Sequence, residues 1–292
     1  MLADFTQLKA IVTGATNQIG HFLVPQLATA GFTEVIAYSR RPHLSESSVH
    51  WQQIDLHATA PMINQPTILF HLAPLTLLTP LLNCLPPLTP LKRVIAFSST
   101  SRLSKIDSLD AKEREIAIQL ATAEQVVMTH CQHYNIPCTL FRPTLIYGCG
   151  QDKNISFITQ FIRRFGFFPL LGTGVGLRQP VHAEDLAIAC LKVCSVPETY
   201  YQIYNLSGGQ TLSYREMVET IFYQLNKKPR IITIPNVVFN GVLQAIRWLP
   251  NYAHLSTAMI KRMNEDLYFD HVSATQDFDY QPRRFSEHDL GI

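Results

Sequence analysis

The residues best placed to do chemistry come early. In KAIVTGATNQIG, Gly14, Asn17 and Gly20 stand three residues apart, between an apolar run at Lys9–Thr13 and a helical stretch that begins at Gln18. A tight strand-to-helix turn of this kind lets backbone N–H groups approach a pyrophosphate, and the helix N-terminus adds partial positive charge. Asn17 stands where a glycine is usual. Asparagine tolerates a left-handed backbone better than other side chains, so the turn is expected to survive the exchange. After the next apolar run, VIAYSRRP places Arg40 and Arg41 where an acidic residue would grip the ribose hydroxyls of NAD. Guanidinium groups there suit a 2′-phosphate instead. The turn therefore predicts a bound dinucleotide, with NADP(H) favoured and NAD(H) the alternative; the bland reading of Arg40 and Arg41 is a pair of solvated charges.

The elements that must position these residues follow from the apolar pattern. Short runs rich in Val, Ile and Phe predict strands at Lys9–Thr13, Glu34–Tyr38, Ile68–Leu72, Arg93–Ser98, Cys138–Arg142 and Tyr204–Leu206. Longer stretches predict helices at Gln18–Ala30, Ala111–Tyr134, Ala183–Cys194 and Tyr214–Leu225. Strands alternating with helices predict an α/β fold, a doubly wound (Rossmann) parallel sheet. Residues 1–150 with 179–208 are expected to form the dinucleotide-binding part, and 151–178 with 209–292 a smaller α/β part covering the substrate.

Bulk properties narrow the partners. A net charge of +2, from 24 basic and 22 acidic residues, predicts no general attraction to nucleic acid. From Leu56 to Leu91 there is no charged residue, yet Pro74, Pro80, Pro86 and Pro87 would break a membrane-spanning helix. That segment is expected to be a buried strand followed by irregular, proline-broken packing, with no integral membrane span. The six cysteines show neither C-x-x-C spacing nor neighbouring histidines at metal-ligand intervals, so they read as buried thiols in a reducing compartment, with no metal site. The start, MLADFTQLKAIVTG, has no charged-then-apolar leader pattern, and a cytoplasmic location is expected.

Six motifs in order carry a resemblance: TGATNQIG, IDL at 54–56, FHLAP at 70–74, VIAFSST at 94–100, FRPTLIYG at 141–148 and RQPVHAEDLA at 178–187. Together they resemble the extended short-chain dehydrogenase/reductase family, which contains nucleotide-sugar epimerases, dehydratases and reductases. The resemblance implies that Gly14, Thr16, Asn17, Gln18, Ile19 and Gly20 face the pyrophosphate, and Arg40 and Arg41 the adenosine phosphate. It places Asp55 and Leu56 beside adenine, and Leu72 and Ala73 along the central ribose. Ser98, Arg142 and Pro143 would complete the cofactor site, and Ser99 and Arg178 would face the substrate, with Arg178 on a nucleotide-sugar diphosphate or, as the alternative, in a salt bridge tying its loop to the core. His182 and Asp185 would orient a loop and cap a helix. The family's long helix commonly builds a homodimer.

One departure is large. The family carries Tyr-x-x-x-Lys on the long helix, where tyrosine transfers a proton and lysine lowers its pKa. Aligning Glu124 with the family glutamate puts Ile116 and Leu120 at those positions, and neither carries a proton. Thr100 remains as a catalytic candidate, and Tyr147, ending the following strand, is the proposed substitute; Lys105, Lys112, Glu113 and Arg114 are weaker ones. Asn236–Leu249 reads as an amphipathic cover over the cleft, with a membrane surface or lipid-linked sugar as the alternative contact. Three classes stay open: an atypical NADP(H)-dependent enzyme on a nucleotide-sugar, a silent cofactor-binding sensor or regulator, and a structural subunit stabilised by bound cofactor.

Overall fold

In a computed structural model, described over residues 5–45, 48–86, 89–234 and 263–285, seven parallel strands form the central sheet. The chain starts in its middle with β1 (Lys9–Thr13), passes through α1 (Gln18–Thr29) and lays β2 (Glu34–Ser39) and β3 (His50–Gln53) to one side. It then crosses back to β4 (Thr67–His71), β5 (Leu91–Phe97), β6 (Cys138–Pro143) and, late in the chain, to a strand at Gln202–Leu206 on the other side. The reversal between β1 and β4 opens a crevice at the carboxyl ends of those two strands, the place where such sheets bind ligands. The expected doubly wound sheet is present, with strand and helix ends within about two residues of expectation.

The strands form because their residues are buried on both faces. β1 and β4 are buried throughout, which explains their unbroken apolar runs. β3 was not anticipated: HWQQ has no apolar run, because it is an edge strand with mostly exposed side chains. The proline-rich segment is more regular than expected. Leu75–Leu77 forms a 3₁₀ turn that leads into α2 (Leu78–Asn83). Pro80 lies in the first turn of α2, where no N–H is needed for the helix. Leu75, Leu78, Leu81 and Leu82 are buried against the sheet.

After the turn α3 (Ser101–Ser104), the long helix α4 (Ala111–His133) is capped by Asp110, whose carboxylate accepts the Lys112 N–H. The rest comprises β7 (Ile146–Tyr147), α5 (Ile155–Phe165), β8 (Phe168–Leu171), β9 (Leu177–Arg178), β10 (Val181–His182), α6 (Ala183–Val193), β11 (Gln202–Leu206), β12 (Leu212–Ser213), α7 (Tyr214–Gln224), β13 (Ile231–Ile234) and α8 (Val272–Phe278). A separate apolar cluster gathers Ile155, Ile158 and Ile162 of α5, Met217, Ile221 and Phe222 of α7, Tyr147 and Phe285. Among the described residues, no helix is long and apolar enough to cross a membrane. The Asn236–Leu249 stretch lies outside the described residues.

Candidate functional site

The turn after β1 is built by backbone packing. Gly14 adopts a left-handed φ of +72°, and a Cβ there would stand 2.6 Å from the Ala73 nitrogen at the exit of β4. At Gly20 a Cβ would meet the Ala15 carbonyl oxygen at 2.1 Å. Both positions demand glycine whether or not a ligand is present.

Asn17 is a correction to the sequence reading. Its backbone is extended, with φ −77° and ψ 173°, and it serves as the N-cap of α1. Oδ1 accepts the Ile19 N–H at 2.9 Å and the Gly20 N–H at 2.8 Å, while Nδ2 donates to the Leu72 carbonyl at 2.7 Å. Asparagine is tolerated there for its hydrogen-bonding side chain, which satisfies donors at the start of a helix.

Around this turn, Thr16, Arg40 and Arg41 are exposed. The two arginines follow β2 directly beside the turn, since the Tyr38 carbonyl accepts the Ala15 N–H. Asp55 is exposed and its carboxylate accepts the His57 N–H; Leu56 packs partly on the core. Leu72 is buried, and its N–H is taken by the Thr13 carbonyl. A pyrophosphate on this turn would use the N–H groups that α1 offers, and those of Ile19 and Gly20 already donate to Asn17. In this structure those two N–H groups are thus already taken.

Deeper in the sheet, Ser98 and Arg142 also have partners. Glu124 of α4 is only 3% exposed. It receives the Ser98 hydroxyl at 2.6 Å, Nε and Nη2 of Arg142 at 2.7 and 2.5 Å, and an ion pair from Arg102 at 3.0 Å. The Pro143 carbonyl accepts both the N–H and the hydroxyl of Thr100. These groups knit α3, α4, β5 and β6 together.

A cavity of about 540 Å³ opens beside the turn. Gln18, Ser99, Thr100, Ser101, Lys105, Lys153 and Arg178 are among its lining residues. The lining includes neither Arg40, Arg41, Asp55, Leu72 nor Ala73, and no residue of α4. Ile116 is 42% exposed. Gln18 lies with its Oε1 shielded from solvent and without a hydrogen-bond partner among the described residues. The guanidinium of Arg178 is buried; its Nη1 donates to the carbonyls of Leu177 and Glu265 at 2.6 and 2.9 Å, and it sits 5.5 Å from the Tyr214 ring. It thus ties β9 to the chain near Glu265 while facing the cavity. His182 caps α6 by accepting the Glu184 N–H. Asp185 accepts the N–H and Nε of Arg283.

Tyr147 does not reach the cavity. Successive residues of a strand point to opposite sides, and in β7 it is Ile146 that lines the cavity. Tyr147 is fully buried, packed edge-on against His182 and Phe285 at ring distances of 5.1 and 5.0 Å. Burial, with Asp185 nearby, pushes its hydroxyl well above the usual tyrosine range, so it holds its proton. The tyrosine that does line the cavity is Tyr214, which sequence reasoning passed over because it begins a helix far along the chain. Burial pushes its hydroxyl up to about 12, with the Arg178 charge opposing. It is a hydrogen-bond donor at neutral pH.

An open parallel sheet wound to both sides, with a glycine turn at its reversal, defines a dinucleotide-binding class of fold. Residues 91–207 match the model of the NAD dependent epimerase/dehydratase family, and over this segment the chain is similar to it. Among solved structures, MoeE5 in complex with UDP-glucuronic acid and NAD aligns with 97% of this chain and 96% of its own, at a TM-score of 0.73 and 20% identity. UDP-glucose 4-epimerase of Thermotoga maritima, solved with UDP-glucose, aligns with 97% of this chain and 96% of its own at a TM-score of 0.72 and 14% identity. At these identities the likeness is one of fold. A curated relative, the mitochondrial NADH dehydrogenase [ubiquinone] 1 alpha subcomplex subunit 9 of Arabidopsis thaliana, is 26% identical over 116 residues. That match covers 39% of this chain and spans 28% of the relative's length.

Proposed function

We propose that this protein is a binding member of the epimerase/dehydratase fold, taking a dinucleotide and an anionic, nucleotide-linked ligand such as a nucleotide-sugar without the family's proton relay. One observation carries the reading: among the described residues that line the cavity, none comes from α4, the helix that holds the tyrosine and lysine in the family. Among the described residues the cavity instead presents Lys153 and Arg178, with Lys105 paired to Glu113 at 3.8 Å, against the carboxylate of Asp152. That carboxylate is itself bonded to Asn154 and Ser156. Excess positive charge in a partly enclosed space favours phosphate over neutral ligands.

The solved neighbours crystallised with NAD or a nucleotide-sugar support both ligand classes, and a relative named as a subunit accords with a role in sensing, regulation or structure. NADP(H) is favoured over NAD(H) because Arg40 and Arg41 leave the sheet beside the turn. The division into residues 1–150 with 179–208 and residues 151–178 with 209–292 belongs to this proposal, as do a cytoplasmic location and a homodimer. A second reading, slow turnover of a nucleotide-sugar, rests on Thr100 in the cavity wall with Lys105 beside it.

Titration of the purified protein with NADPH, NADH and a panel of nucleotide-sugars, following binding heat, cofactor absorbance and sugar product, separates the two. Binding without product is expected; turnover that Thr100→Val abolishes would establish the second reading. In the same titration, Arg40→Glu with Arg41→Glu should weaken NADPH at least tenfold more than NADH. Equal loss for both cofactors would refute the 2′-phosphate assignment.

A further inference from the structure

The crevice between β1 and β4 is bridged by one side chain. Asn17 holds two N–H groups of α1 with Oδ1 and reaches the Leu72 carbonyl on the β4 side with Nδ2, all at ordinary hydrogen-bond lengths of 2.7 to 2.9 Å. Its carboxamide therefore links the bank that would receive a pyrophosphate to the strand end along which a dinucleotide would run. We infer that Asn17 is a built-in occupant of the pyrophosphate position, a bolt that a dinucleotide must displace in order to bind; this rests on the dinucleotide-binding reading above.

The physical reasons are local. The position is normally glycine so that the cofactor's phosphates approach the backbone closely. Here a carboxamide oxygen lies within hydrogen-bond reach of the N–H groups of Ile19 and Gly20, where a phosphate oxygen would be received. The same N–H groups cannot serve both acceptors at full strength. Among the first-turn donors, the Gln18 N–H has no hydrogen bond within the described residues. A dinucleotide arriving at this crevice must break the two bonds to Oδ1, and moving the carboxamide aside strips the Leu72 carbonyl of its donor. Asn17 is only partly buried, so the side chain has a route outward into solvent. The turn would thus keep the fold stable without cofactor and make binding weak and conditional.

The test is calorimetric titration of the 292-residue chain with NADPH and NADH, comparing wild type, Asn17→Gly and Asn17→Asp, with each fold checked by melting temperature and circular dichroism. Glycine is an accepted N-cap and removes the bolt, so Asn17→Gly should bind at least tenfold more tightly than wild type. Aspartate keeps the cap and adds a negative charge facing the phosphates, so Asn17→Asp should bind at least tenfold more weakly. Equal or weaker binding by a folded Asn17→Gly protein overturns the inference and leaves the dinucleotide reading intact. No binding by any of the three proteins overturns both. An independent readout needs no substitution: in wild type saturated with NADPH, the side-chain amide resonance of Asn17 should move to that of a solvated carboxamide, and an unmoved resonance overturns the inference.

Discussion

Glu124, which in the sequence only marks the register of the long helix, holds the frame together. Its carboxylate is buried and gathers Ser98, Arg102 and Arg142. A buried charge with partners is weak evidence of added stability, but removing one member leaves the others uncompensated. Glu124→Ala should therefore cost about 3–5 kcal/mol, read as a lower urea midpoint with an unchanged slope. Glu124→Gln should cost less, since the amide still accepts from Ser98. If Glu124→Ala unfolds at the wild-type midpoint, the network does not carry the structural role assigned to it. Ser98 and Arg142 were expected at the cofactor; nothing in VIAFSST or FRPTLIYG signals that both meet a carboxylate from a helix between them.

Between elements, β1 and β4 are joined beneath the crevice by His71. Its Nε2 lies 3.1 Å from the Pro74 carbonyl, which only accepts, so the proton sits on Nε2 and Nδ1 accepts the Thr13 hydroxyl at 2.8 Å. Burial pushes the imidazole down to about 4, and the Pro74 contact opposes this only in part. An exposed histidine titrates near 6.5. Between those values the unfolded chain binds a proton that the folded chain refuses, so stability is full above about pH 6.5 and falls as pH drops toward 4. The loss reaches roughly 3 kcal/mol at about 1.4 kcal/mol per pH unit. His71→Asn should flatten this part of the stability profile, and an unchanged slope would show that His71 is not its source.

At the scale of the molecule, the chain near its C-terminus returns to the Rossmann helices. Arg283 pairs with Asp185 at 2.7 Å and Glu184 at 2.9 Å at the start of α6, and Phe285 is buried against Tyr147. Asp185 is 6% exposed, so Arg283→Ala leaves a buried carboxylate without its cationic partner, held among the described residues only by the backbone N–H of residue 283. A loss of about 3 kcal/mol is expected in denaturant unfolding, and wild-type stability in this variant would show that Phe285 and its neighbours hold the segment without the ion pair.

The sheet was legible because its signal is local. Strands buried on both faces write unbroken apolar runs, and the order of turns and helices between them limits the topology to a doubly wound sheet. The same pattern missed β3, whose edge position leaves no such run, and it took Pro80 as part of an irregular stretch because its place in the first turn of α2 is not written in composition. Glycine spacing marked the crevice, and Ile116 and Leu120 could be read directly from the helix. Direction and partnership could not. Which of Ile146 and Tyr147 meets the cavity depends on how a two-residue strand pairs, and Tyr214 joins Arg178 there from 36 residues further along. What Asn17 does with its carboxamide depends on where Leu72 comes to rest. From the residues alone one could read a glycine turn between a strand and a helix, with Ile116 and Leu120 on the long helix; the bond from Asn17 to the Leu72 carbonyl could not be read there, because hydrogen bonds between distant segments exist only once the strands are side by side.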